Sequence, residues 1–214
     1  MSRARRERLS AAALYLICDD RPDAFLEAVL GAGVDILQLR MKDGSDERVL
    51  AAARRFRAAC SRHGALFVLN DRPDLAAAAD ADGVHVGQDD LPVAAARRTV
   101  GARRLVGLST HSPAQVDAAG PGVDYIGVGP VYATPTKPGR PAVGLELVRY
   151  AVAHSRVPFF AIGGISESNV ADVAEAGATR IAVVRALTEA ADPGRAARLL
   201  RRAIAGTEER VASA

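Results

Sequence analysis

The chain is 214 residues long, 49% hydrophobic and 25% charged, a size and composition suited to one globular domain or at most two. Its 28 Lys and Arg against 25 Asp and Glu leave a net charge of only +3, an excess that anionic small molecules would consume and that does not form a nucleic-acid footprint. No apolar run reaches the roughly 18 residues of a membrane span.

The chain opens with "MSRARRERLS", which is basic but has no apolar signal-peptide core behind it. Residues 1–12 therefore read as a solvated basic tail, and the protein as cytoplasmic. Cys18 and Cys60 stand far apart, without CxxC or metal-ligand spacing, and read as reduced thiols. From residue 13, short apolar runs alternate with runs rich in Ala, Leu and Arg. The strand "ALYLICD" precedes a predicted helix at 22–32, "VDILQLR" one at 45–63, "LFVLND" one at 73–80 and "GVHVG" one at 91–100. "LVGLST" then precedes 112–120, "YIGVGPV" 144–154, "FFAIGG" 166–176 and "RIAVVRAL" 193–205. Strict alternation implies a parallel sheet, and eight units imply an α/β domain over 13–206 that closes as a single (β/α)8 TIM barrel. An open doubly wound sheet is the alternative, and 207–214 form a C-terminal tail.

Period-two alternation assigns faces within that barrel. In the second strand Leu37 and Leu39 face the helices, so Gln38 and Arg40 face the lumen. The fifth strand turns Gly107, Ser109 and His111 inward, and the sixth turns Gly127 and Gly129 inward. Polar and very small residues thus gather near the C-terminal strand ends, where barrel enzymes carry their sites.

Two anion sites follow. Arg40 and Lys42 in "QLRMK", Lys137 in the long loop "GPVYATPTKPGRP" at 129–141, Asp71 in "LNDRP" and Asp90 in "VGQDDLP" describe a diphosphate clamp with Mg²⁺ between two carboxylates. Each aspartate also stands where a helix cap would, so capping is the competing reading. The second site rests on Gly163 and Gly164 in "AIGGIS" and on "VVRAL", the loops that hold phosphate in many barrels, although a glycine pair also suits a tight turn. His85 and His111 fit no metal spacing and read as packed or hydrogen-bonding residues. A held diphosphate is a leaving group, a second phosphate ester is the acceptor, and no acid–base dyad is evident, which favours an ionising transfer over hydrolysis or aldol chemistry.

In order and spacing, "QLRMK", "NDR", "HVGQDDLP", "GLSTHS", "GPVYATPTKPG", "AIGGI" and "VVRAL" resemble the thiamine-phosphate synthase (thiamine-phosphate pyrophosphorylase) family, over about residues 13–190. The resemblance implies a transferase of thiamine biosynthesis that joins 4-amino-2-methyl-5-hydroxymethylpyrimidine diphosphate to 4-methyl-5-(2-phosphoethyl)thiazole and releases pyrophosphate. It implies that Gln38, Leu39, Arg40, Met41, Lys42, Asn70, Ser109 and Lys137 bind the pyrimidine diphosphate, with Arg40, Lys42, Ser109 and Lys137 catalytic. Asp71 and Asp90 would hold Mg²⁺. Thr134, Pro135 and Thr136, helped by Gly164, Val184 and Arg185, would bind the thiazole phosphate. Family members often carry serine where Arg185 stands, and an arginine there would be a stronger phosphate contact. The long loop would close over the cation and exclude water. The partners implied are small-molecule substrates, with neither nucleic acid nor membrane, and a homo-oligomer is compatible with the sequence. A thiazole tautomerase of the same fold and a non-catalytic phosphate-ester-binding regulatory barrel are the alternatives. The set of Asp71, Asp90, Arg40 and Lys137 favours the synthase, because a tautomerase has no diphosphate to clamp.

Overall fold

Parallel strands that each hydrogen-bond to the next in sequence, and the last to the first, leave no free edge. The computed structural model, which describes residues 3–134 and 141–205, closes in this way, from β1 to β8 in order. The strands are β1 (Leu14–Cys18), β2 (Ile36–Leu39), β3 (Leu66–Asn70), β4 (Gly83–Val86), β5 (Leu105–Thr110), β6 (Tyr125–Val128), β7 (Phe159–Ile162) and β8 (Ile181–Val183). Register from Leu14↔Ile181 to Leu16↔Val183 joins β1 to β8, so the sheet is a barrel and not an open layer. Around it lie α2 (Asp23–Gly31), α3 (Asp46–His63), α4 (Val93–Val100), α5 (Pro113–Ala118), α6 (Gly144–His154), α7 (Val170–Glu175) and α9 (Pro193–Ala205). Among the described residues no helix is long and apolar enough to cross a membrane.

Local chemistry accounts for the longest helix. Ser45 caps α3 by accepting the Arg48 N–H, Asp46 and Glu47 sit at its positive end, and Gly64 ends it in the left-handed region at φ 69°. Its buried face, Val49, Ala52, Ala53, Phe56, Ala59 and Cys60, repeats at helical spacing and packs on the outward side chains of the barrel, Leu37, Leu39 and Phe67 among them. A second cluster fills the lumen, with Ile36, Leu66, Val68, Leu105 and Phe160 pointing inward. Two apolar layers, one on each side of the strands, explain why most strands read as continuous hydrophobic runs.

Three segments differ from the sequence expectation. Residues 3–11, expected as a solvated tail, form α1 (Arg3–Ala11), whose Leu9 is buried in the lumen cluster and closes the floor of the barrel. Residues 73–80, expected as a helix, are a succession of turns with bonds such as Leu75 N–H to Arg72 O and Ala76 N–H to Pro73 O, and Asp80 takes φ 47°. Its bonds there span mostly three residues, so the alanine-rich segment descends to β4 without a regular helix. The predicted eighth strand ends early: Val184 leaves the sheet and Arg185–Thr188 form a short helix, α8.

A repeated device holds the floor. Asp35, Asp82 and Asp124 each immediately precede an even-numbered strand and accept a backbone N–H where the preceding odd strand begins. The acceptor distances are 3.0 Å for Leu14, 3.0 Å for Phe67 and 2.8 Å for Val106. Each carboxylate also meets an arginine, Arg201, Arg57 and Arg97 respectively. Asp82 is the most enclosed at 1% exposure, and it also receives Arg5 at 2.7 Å and Arg8 at 3.4 Å from α1. Burial alone would raise its pKa, but the Phe67 N–H and the Arg5 and Arg57 guanidiniums outweigh it and hold the carboxyl below its ordinary value.

A carboxyl with a depressed folded-state pKa contributes stability that is present above its unfolded value of about 3.9 and is lost as pH falls through the folded value. Asp82→Asn is expected to lower unfolding free energy near neutral pH by about 3 kcal/mol, because it strands partly buried arginines. The gap from wild type should narrow as urea denaturation is repeated at progressively lower pH, below the ordinary carboxylate range.

Candidate active site

At the C-terminal ends of the strands lies a cavity of about 410 Å³. Its floor is lined by Tyr15 and Phe160, with Tyr125 fully buried beneath them. Tyr15, Tyr125 and Phe160 meet edge to face, with ring centroids 5.9 Å apart for the two tyrosines and 5.4 and 5.8 Å from each to Phe160. Polar atoms on this floor are joined to one another. Gln38 Nε2 donates to the Tyr15 hydroxyl, the Tyr15 and Tyr125 hydroxyls are 3.0 Å apart, Tyr125 lies 3.3 Å from His85 Nδ1, and His85 Nε2 lies 3.0 Å from Ser109 Oγ. Burial pushes both phenols well above their ordinary pKa, so both stay protonated. Gly107 makes room for this line: a Cβ there would come within 2.2 Å of the Tyr125 ring and 2.6 Å of His85 Nδ1.

Gln38 and Arg40 line the cavity, as their inward parity requires, whereas Leu39 is buried in the layer beneath the helices and Met41 packs against that same layer. Side-chain contact with a ligand in the cavity therefore falls to alternate residues of this run. Lys42 is exposed at the rim, where its charge acts on Asp71. Asn70 donates to Asp71 Oδ2 at 2.6 Å, and Asp71 takes a left-handed backbone at φ 55°, a conformation that Asp tolerates better than most residues. Asp71 and Asp90 share a side-chain hydrogen bond. Burial first, and the Asp90 carboxyl second, push Asp71 up to about 6. Neither aspartate caps a helix, since turns follow Asp71 and α4 begins after Pro92 without a side-chain cap. Asp90 instead accepts the Gly87 N–H at 2.7 Å. Two facing carboxylates at odds over one proton, beside a lysine, are a donor set that a hard divalent cation fits, with water and substrate phosphate completing its shell.

The opposite end is built from the loops after β7 and β8. Gly163 and Gly164 both take positive φ, at 102° and 66°. A Cβ on Gly163 would lie 2.5 Å from Pro130 Cα, and one on Gly164 2.7 Å from Tyr132 Cβ, so only glycine lets the loop after β7 meet the loop after β6. Backbone bonds from Val131 N–H to Ile162 O and from Tyr132 N–H to Gly163 O lock them together. Thr134, Gly164, Val184 and Arg185 all line this end, and Arg185 pairs with Glu189 at 2.8 Å. Pro135, Thr136 and Lys137 lie outside the described residues. His111 lines the cavity and its Nδ1 bonds the Gly129 carbonyl.

Sequence reasoning missed Tyr15, Tyr125 and Glu189 as site residues. Tyr125 shares the inward parity of Gly127 and Gly129, and Tyr15 that of Ile17, so the period-two rule was sufficient to find both. Glu189 was hidden because Arg185–Leu187 read as strand, which conceals an i,i+4 helical pair.

A family model described as thiamine monophosphate synthase matches residues 14–187. A thiamine-phosphate synthase of Thermobifida fusca is 53% identical over 213 residues, covering 94% of this chain and 96% of that protein. One of Gloeobacter violaceus is 54% identical over 193 residues, and there the alignment takes in 89% of this chain but only 57% of the relative's length. Among solved structures, a thiamine phosphate pyrophosphorylase of Pyrococcus furiosus superposes with TM-score 0.84 at 30% identity, covering 94% of this chain and 98% of that one. The chain belongs to the thiamine-phosphate synthase family of transferases.

Proposed function

We propose that this chain is a thiamine-phosphate synthase, joining the pyrimidine diphosphate to the thiazole phosphate and releasing pyrophosphate within the single cavity described. The observation that carries this reading is one cavity lined by Arg40 and Asn70 on one side, with Asp71, Asp90 and Lys42 grouped next to Asn70 outside the lining, and by the glycine-built turn at Gly163 and Gly164 on the other. One end suits a diphosphate and the other a phosphate monoester.

Asp71 and Asp90 would hold Mg²⁺, which when bound would neutralise diphosphate charge. The remaining work belongs to the chain's own side chains. Arg40 and Lys42 bind the diphosphate oxygens and stabilise the charge that grows on them as the methylene C–O bond breaks and its electron pair leaves with pyrophosphate. The aromatic floor and the neutral Gln38 and Asn70 amides orient the pyrimidinylmethyl cation without supplying a nucleophile to it. The thiazole nitrogen then donates its lone pair to that carbon, held in place by its phosphate at Gly164, Val184 and Arg185. Thr134 lines the thiazole phosphate end of the cavity, and the resemblance implies that Thr136 and Lys137, which lie outside the described residues, would contact the reactants. The reaction requires no general base, in keeping with a cavity whose imidazoles are engaged with Tyr125, Ser109 and Gly129.

Purified protein given both substrates and Mg²⁺ is expected to form thiamine phosphate, followed as its fluorescent oxidation product, and to stop when a chelator is added. Product that persists in chelator would overturn the metal assignment, and absence of product despite thiazole phosphate binding would overturn the synthase reading. Asp71→Ala should reduce turnover at least roughly a hundredfold while the melting transition is retained. Gly163→Ala places a side chain against Pro130 and is expected to raise the KM for thiazole phosphate roughly tenfold, with a smaller effect on the pyrimidine diphosphate.

A further inference from the structure

The polar line across the floor runs through five strands: Gln38 on β2, Tyr15 on β1, Tyr125 on β6, His85 on β4 and Ser109 on β5. Its two ends are residues that the pyrimidine reading already uses. In that reading the tyrosines serve only through their rings, and the two hydroxyls and the His85 imidazole have no role. Each interior member is amphoteric, since a phenol donates one hydrogen bond while accepting another, and a neutral imidazole has one donor and one acceptor nitrogen. Such a line has only two self-consistent directions.

In the first, the Gln38 Nε2–H donates to Tyr15, Tyr15 to Tyr125, and Tyr125 to His85 Nδ1. His85 Nε2–H then donates to Ser109 Oγ, leaving the Ser109 proton for the cavity. In the second, Ser109 donates to His85, every bond reverses, and Tyr15 donates to the Gln38 amide oxygen. That reversal requires the amide to turn over and the imidazole to take its other tautomer. The structure has Gln38 Nε2 against Tyr15, which is the first direction. The phenols are enclosed, Tyr15 at 2% exposure and Tyr125 at 0%, so water cannot relieve a mismatched bond between them. In this direction the amide oxygen of Gln38 is the acceptor left for a ligand.

We propose that Tyr15, Tyr125 and His85 are positioning residues that set the hydrogen-bond direction of the pyrimidine end, so that Gln38 accepts from a 4-amino group and disfavours a 4-oxo pyrimidine. This rests on the pyrimidine reading of that end. Cutting the line at a phenol lets each half adopt either direction, and Gln38 can then turn either edge of its amide to the ligand. The loss is therefore one of discrimination and not only of rate, which a merely structural role would not produce.

The test compares kcat/KM for the 4-amino and 4-oxo pyrimidine diphosphates in wild type, Tyr125→Phe and Tyr15→Phe, with melting transitions recorded for each. The expected result is a wild-type preference for the amino substrate that falls at least roughly tenfold in both variants. A preference within twofold of wild type in the folded variants, or equal losses on both substrates, would overturn the proposal. If Tyr125→Phe does not fold, Tyr15→Phe interrupts the same line at the neighbouring oxygen. Calorimetric dissociation constants for the two diphosphates give the same ratio without turnover. A wild type that binds both but makes no thiamine phosphate therefore defeats the synthase reading and leaves the discrimination test intact.

Discussion

Once β1 hydrogen-bonds to β8 from Leu14 to Leu16, no strand has a free edge, and each side chain must fall either into the lumen or beneath the helices. Parity then decides chemistry. On β2 it sends Leu37 and Leu39 to the outer layer and Ile36 and Gln38 inward, and on β5 it sends Val106 outward and Ser109 inward. The lower lumen is filled by apolar residues and plugged by Leu9 of α1, so the space that remains open is at the C-terminal strand ends.

The two ends of the barrel treat the same residue type in opposite ways. At the floor, Asp82 is almost fully enclosed, yet the Phe67 N–H and the Arg5 and Arg57 guanidiniums keep its carboxyl below its ordinary value. At the rim, burial first and the facing Asp90 carboxyl second raise the Asp71 carboxyl to about 6. Stability is served by carboxylates paired with arginines, and perturbed carboxylates facing one another are a common feature of functional sites. On the proposed reading Asp71 and Asp90 would hold a cation, whereas Asp35, Asp82 and Asp124 tie strands together.

Between those ends, the floor of the cavity combines two demands that usually conflict. Tyr15 and Phe160, backed edge to face by the buried Tyr125, supply an apolar surface suited to a flat ring, while the hydroxyls and His85 join Gln38 to Ser109. Buried polar atoms are tolerated there because each finds a partner in the line. Gly107 permits it, since any larger residue would occupy the space of the two rings.

Eight strands and most of the helices were legible from period and punctuation, because hydrophobic periodicity and caps such as Ser45 and Gly64 are local properties. The inward parity of Gln38, Arg40 and Ser109, the glycine pair at 163–164 and the carboxylates at 71 and 90 were local as well, and the family motifs follow from them. Several features were not local. The basic start became α1 because Asp82, far along the chain, draws Arg5 and Arg8 to the floor. Residues 73–80 stay in turns although alanine favours helix, and β8 stops at Val183 so that Arg185 and Glu189 can pair across one helical turn. Which carboxylate pairs with arginines and which faces another carboxylate, and which hydroxyl meets which imidazole, depend on contacts between residues many positions apart. Sequence determined the strands and the faces they present, and only barrel closure decided which of those faces meet.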